Sequence, residues 1–235
     1  MIGTVHVKNA IDQAEKSYPD WEFNLYRVPF LLEPGYASKP EGFTESHETR
    51  MIRKFGSLKN FVSFRTSHDL PGRAAEVNLD ALGFTQPNLS KRIQSSTINS
   101  HRLVIYITKR FGVKKAEEFY SGINVKHFTE SGILNDSEML LQVVKDVGIE
   151  GQDYVDVETF LREGAGRKTV FKSLEMVERL GIHGIPTLVL GGKMALGSGA
   201  QRGEDIFEGI KRFIEGGEEG GGRLFGEILD GIDSI

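Results

Sequence analysis

Apolar positions at Val7, Ala10, Ile11 and Ala14 recur at helical spacing behind Gly3, and Pro19 with Asp20 closes the run, so the pattern predicts an amphipathic helix over 4–17. In WEFNLYRVPFLL, residues 21–32, Trp21, Phe23 and Leu25 alternate with polar neighbours before the run turns uniformly apolar. That predicts a strand entering a loop at Pro34 and Gly35. Residues 35–46 are turn-rich, 47–54 read as a helix, and 60–98 show a mixed pattern. From Asn99 onward, HRLVIYITKRFG and KKAEEFYSGINVKHFTE predict two helices divided at Gly112. Asp136 is placed to cap a third, MLLQVVKDVGI, which ends at Gly148, and VDVETFLREG makes a fourth.

The last third changes character. RKTVFKSLEMVERLG predicts an amphipathic helix stopped at Gly181, GIPTLVLGG a short buried strand, and KMALGSG its partner across a hairpin at Gly191 and Gly192. In GEDIFEGIKRFIE, Ile206, Phe207, Ile210 and Phe213 share one face of a final helix. GGEEGGG reads as a linker, and Leu224, Phe225, Ile228, Leu229 and Ile232 beyond it leave a short apolar stripe that folds back or docks a partner. The expected plan is one α/β domain over 1–215 with a helical insertion at about 47–165, then a linker and tail over 216–235.

Composition narrows the chemistry. With 39% hydrophobic and 26% charged residues the chain is globular in type. Its net charge of -4 comes from 33 acidic and 29 basic residues without a basic cluster, which argues against a nucleic-acid partner. No apolar run approaches the roughly 20 residues of a bilayer span. The opening MIGTVHVKNAIDQ lacks the apolar core of a signal peptide, so the expectation is a soluble, cytoplasmic protein with no membrane partner. The absence of any cysteine excludes disulfides, thiolate metal ligands and a cysteine nucleophile within these residues.

His101, His127 and His183 have no partner three or four residues on, so no metal site is expected. His101 reads as a capping or packing residue at a helix start. His183 reads as a solvated turn residue that can also face a ligand at Ile185. Ser198 lacks the G-x-S-x-G context of a nucleophile, and neither glycine cluster is followed by G-K-[ST], so no catalytic residue and no cofactor are assigned.

The segment GIHGIPTLVLGGKMALGSGAQ resembles the C-terminal signature of the DsbA family: a G-[VI]-P-T turn at Gly184, Ile185, Pro186 and Thr187, then a hairpin into Ser198, Gly199, Ala200 and Gln201. YRVPFLLEP, TINSHRL at 97–103 and HFTESGILNDSEML at 127–140 resemble the FrnE-like branch of that family. The resemblance runs to about Glu215. It implies a thioredoxin-like fold with a large helical insertion and thiol-disulfide oxidoreductase activity. It also implies a cis Ile185–Pro186 bond, accessible because X–Pro bonds lose only about 0.5–1 kcal/mol on going cis. Ile185, Pro186, Thr187 and His183 become the candidate substrate-binding residues. The implied partner is a peptide or protein thiol or disulfide, or glutathione, paired as an added strand with the Ile185 backbone near Pro186.

In that family a strand and a C-P-W-C-Y-x-G motif precede the first helix, which lowers the thiol pKa. Here Gly3 matches the motif's glycine, Met1 falls on its tyrosine, and the second cysteine would come immediately before Met1. The missing strand is central. At roughly 1.5–3 kcal/mol for each large apolar side chain, its loss rivals the stability of a whole domain. The expectation is therefore a form lacking the first central strand, truncated or inactive in redox chemistry. Two alternatives stand beside it: a non-redox thioredoxin-fold module binding peptide or glutathione, and a kappa-type glutathione-dependent isomerase or transferase with serine at the first cysteine position.

Overall fold

The computed structural model describes residues 2–40, 42–67, 91–192, 194–199 and 201–217. The tail stripe at 223–235 and the positions of Met1 and Ala200 lie outside them. The chain divides into two units, one formed by Met1–Leu32 with Lys168–Ile235 and the other by Glu33–Arg167.

The first unit contains α1 (Ile2–Ser17), the antiparallel hairpin β3 (Thr187–Leu190) and β4 (Met194–Ser198), and α8 (Gly203–Glu215). α7 (Arg167–Arg179) leads into the hairpin, its chain leaving the helix through Gly181 at φ 68°. Val7, Ala10 and Ala14 of α1 form a core with Ile206 and Ile210 of α8, and Leu188, Leu190 and Leu196 of the hairpin pack on it. Gly209 lets α8 close on β4, since a Cβ there would run into the Leu196 side chain. Phe213 is buried with Ile206 and Ile210, as the shared helix face predicts.

No strand forms over 21–32. The alternation read there holds in packing only from Phe23, because Phe23 and Leu25 lie against the α1–α8 core and Asn24 and Tyr26 are exposed, whereas Trp21 is exposed too. Alternation positions side chains, whereas a strand also needs a neighbour to accept its ladder. Among the described residues β3 pairs only with β4, so this segment stays outside any sheet. The first helix also begins earlier than its apolar spacing indicates, at Ile2, which places Gly3 in its first turn.

The second unit is helical. A 3₁₀ turn (Pro34–Ser38) and β1 (Thr44–Ser46) lead to α2 (His47–Phe55) and α3 (Leu58–Ser67); β2 (Ile93–Ser95) pairs antiparallel with β1. Then come α4 (Ile98–Thr129), α5 (Ser137–Asp146) and α6 (Gly151–Arg162). Gly112, at φ 86° and ψ 168°, breaks α4 into the two helices expected on either side of it. Phe119, Leu140, Val144 and Val157 sit at the centre of the core these helices share. Asp136 caps α5 by accepting from the Met139 N–H at 2.9 Å.

Arg102, only 4% exposed, ties this unit together. Its Nη2 donates to the carbonyls of Phe160 (2.8 Å) and Leu161 (3.0 Å) in the last turn of α6, and its Nε donates to the Ala165 carbonyl. Its Nη1 donates to Asn99 Oδ1 at 2.7 Å. Asn99 in turn meets Asn135, beside the α5 cap, through two 3.3 Å hydrogen bonds. A helix C-terminus leaves carbonyls without intrahelical partners, and a cation there also opposes the helix dipole. Arg102 and Asn99 together therefore join the ends of α4, α5 and α6.

A second polar knot anchors 33–46 on α2. Glu33 accepts from Arg50 (2.7 Å), Arg53 (3.2 Å) and Lys54 (2.7 Å), while Tyr36 donates to Glu45. Despite partial burial, those three cations hold the Glu33 carboxyl down at about 2. His47 is pushed the other way from charge. Burial, then the nearby Arg92, Arg50, Arg65 and His127, lower its imidazole to about 4, and its Nδ1 lies 3.1 Å from Arg92 Nη2. Arginine only donates, so that nitrogen must be the unprotonated acceptor.

Replacing Arg102 with Met takes the side-chain donor from three carbonyls, of which that of Leu161 keeps a backbone N–H, and should cost about 3 kcal/mol; Arg102→Lys should recover little, because one ammonium cannot span the same acceptors. Urea unfolding midpoints measure both. The folded-state pKa of His47 lies below its ordinary 6.5. The unfolded chain therefore binds more protons between those values, and stability present above pH 6.5 should be lost as pH falls towards 4. Thermal midpoints at pH 7, 5.5 and 4.5 should show this slope, and His47→Gln should flatten it.

Candidate substrate-docking site

Gly181 ends α7 and the chain turns through His183, Gly184 and Ile185 into β3. The Ile185–Pro186 peptide is cis. Thr187 Oγ1 donates to the Gly184 carbonyl at 2.8 Å, closing the turn on its own backbone. On the other side, the Gly199 N–H donates to the Pro186 carbonyl at 2.8 Å, beyond the Thr187–Ser198 pair of the hairpin. Pro186 is thus held from both flanks. Ile185 is 48% exposed, and among the described residues its backbone N–H and C=O have no hydrogen-bond partner.

The first turn of α1 lies against this proline: a Cβ on Gly3 would stand 3.1 Å from Pro186 Cγ. Only a residue without a side chain lets the helix start come this close without displacing the ring. No acidic residue occupies that first turn, so the positive end of the helix dipole is not neutralised by its own sequence. Ile185, Pro186 and Thr187 are brought together as the sequence suggests, and Gly3 joins them. His183 is exposed in the same turn and makes no hydrogen bond among the described residues.

Behind the turn, Gln201 acts as a brace that sequence reasoning treated only as part of a motif. Its N–H donates to the Gly199 carbonyl at 2.9 Å and its side-chain amide donates to the Leu196 carbonyl. The amide crosses Gly197, whose φ of 117° is closed to ordinary L residues and where a Cβ would stand 2.5 Å from Gln201 Nε2. Of the other three family-like stretches, TINSHRL and 127–140 lie in the helical unit and serve its packing. TINSHRL supplies Asn99 and Arg102, and the 127–140 stretch supplies Asn135, the Asp136 cap and a buried His127, whose Nδ1 lies 2.8 Å from the Gly132 carbonyl. Among the described residues no group of acidic or histidine side chains could hold a metal ion, and no helix is long and apolar enough to cross a membrane.

A helix start set against Pro186 at the entry of a β-hairpin, with a largely helical unit elsewhere in the same chain, gives an α/β protein of thioredoxin-like class. The family model described as "DSBA-like thioredoxin domain" matches residues 67–210, more than half of the sequence, and the chain belongs to that family. Among solved structures, it is similar to a probable DsbA oxidoreductase from Streptomyces coelicolor. The TM-score is 0.68 and the identity 19%, with 93% of this chain and 87% of that one covered. At that identity the likeness shows the fold alone. No curated protein matches the sequence.

Gly197→Ala should cost about 1–3 kcal/mol, since the new side chain meets both a forbidden φ and the Gln201 amide. Gln201→Ala should cost about 1 kcal/mol, the worth of its hydrogen bonds. Chemical denaturation of both variants distinguishes the two contributions.

Proposed function

We propose that this protein is the docking body of a thiol-disulfide oxidoreductase of the FrnE-like branch. In this reading it is one thioredoxin domain over 1–215 with its helical insertion, which supplies the surface on which a dithiol would meet its substrate. The contact of Gly3 with Pro186 carries the reading, because it sets the start of α1 beside the turn where an extended substrate would lie. A thiolate at that helix start would gain from the dipole and attack a substrate disulfide, forming a mixed disulfide that a second thiol resolves. The chain's own part is to bind. The unpaired N–H and C=O of Ile185 accept a peptide or glutathione as an added strand, its exposed side chain offers apolar contact, and Thr187 holds the turn rigid. His183 faces the same ligand from the turn.

Two measurements separate this from its alternatives. Protein expressed from the full open reading frame should reduce a model disulfide or oxidise a model dithiol, and an inactive product would count against the proposal. Serine at the first motif position would point to kappa-type glutathione chemistry instead. On the 235-residue chain itself, a cysteine-free extended peptide should slow exchange of the Ile185 amide without affecting α7. An unchanged Ile185 amide would refute the docking role.

A further inference from the structure

Arg92 and Gln94 stand two residues apart on the extended chain entering and crossing β2, where the His47 N–H donates to the Arg92 carbonyl at 3.0 Å and continues the β1–β2 pairing. Residues so spaced project to the same side. Arg92 Nε and Gln94 Nε2 are buried there without a hydrogen-bond partner. Buried orphan donors are rare and costly, and a buried cation without a counter-ion more so.

Among the described residues the surroundings supply no such counter-ion. Arg92 Nη2 donates to His47 Nδ1, and its guanidinium lies over the Phe128 ring at 5.0 Å. Among the described residues, Arg50 acts on Arg92 as a like charge, Arg65 acts so on the adjoining His47, and burial lowers the pKa of both His47 and His127. Glu33 is already engaged by Arg50, Arg53 and Lys54. Among the described residues no carboxylate pairs with Arg92. Burial, with the charge of Arg50 adding, lowers the Arg92 pKa to about 10. Phe128 covers one face of the guanidinium, so a ligand must approach its edge, where the planar fork suits paired oxygens.

We propose that Arg92 and Gln94 bind a small oxyanion with at least two free oxygens, held between the Arg92 Nε–H and the Gln94 amide. His47 is the positioning residue, since its unprotonated Nδ1 fixes the guanidinium by taking Nη2.

Sulfate is the suitable probe because its charge does not change between pH 4 and 7. It is titrated at millimolar concentration into ¹⁵N-labelled protein against chloride of equal ionic strength, with acetate and phosphate as parallel arms. The Arg92 Nε–H resonance should move saturably with at least one oxyanion, and the thermal midpoint should rise with the same dependence, as mass action requires. Arg92→Lys and Gln94→Leu should each weaken binding by about tenfold, the worth of one charge-assisted contact. A resonance indifferent to all three anions, or one that follows chloride and sulfate alike, overturns the site even where a variant fails to fold. Undiminished affinity in both variants overturns it too.

Discussion

Within the helical unit, the guanidinium of Arg102 has to satisfy its donors away from water, and everything around it is arranged to let it do so. The carbonyls it takes from Phe160 and Leu161 are in the last turn of α6, where the helix runs out of intrahelical donors; that of Leu161 also accepts from the Gly164 N–H at 3.3 Å. The Asn99 amide that completes its shell is also bonded to Asn135 at the start of α5. A buried charge is tolerated only when so fully paired, and full pairing fixes where three helix ends can stand. Hydrophobic burial of Phe119, Leu140 and Val157 supplies the driving force, but it is non-directional. The polar chain gives that core its single arrangement.

The same division holds in the other unit. Leu188, Leu190 and Leu196 press the hairpin on to α1 and α8, while a few polar contacts shape the docking turn: Thr187 to Gly184, Gly199 to Pro186, Gln201 to Leu196. Among the described residues, these contacts leave the Ile185 backbone without a hydrogen-bond partner. A rigid frame around one unpaired backbone segment is what strand addition requires, because the frame is already ordered before the ligand arrives.

Sequence similarity and chemistry do not coincide in this protein. Of the four family-like stretches, only the G-I-P-T to S-G-A-Q segment lies at the docking turn. TINSHRL and the 127–140 stretch build the helical unit, through Arg102, Asn99, Asn135, Asp136 and His127. That is intelligible, since residues that close a buried polar network are as constrained as residues that touch substrate. The Arg92–Gln94 pair gave no comparable signal, because its meaning depends on what surrounds it in space.

Local spacing was sufficient to determine most of the helices, the break at Gly112, the Asp136 cap and the β3–β4 hairpin, because each is set by neighbours a few residues away, but it missed α3 and the β1–β2 pair, which lie in stretches it read as mixed or turn-rich. It was sufficient as well to exclude thiol chemistry within these residues, a matter of composition alone. It misjudged 21–32, where alternation placed Phe23 and Leu25 correctly on the core but could not supply a strand to pair with. Tertiary structure alone decided that Gly3 meets Pro186, that Arg102 and Asn99 join three helix ends, and that Arg50 acts on Arg92 as a like charge. Each of these joins residues far apart in the chain, and their energies come from desolvation and from acceptors that no local pattern records.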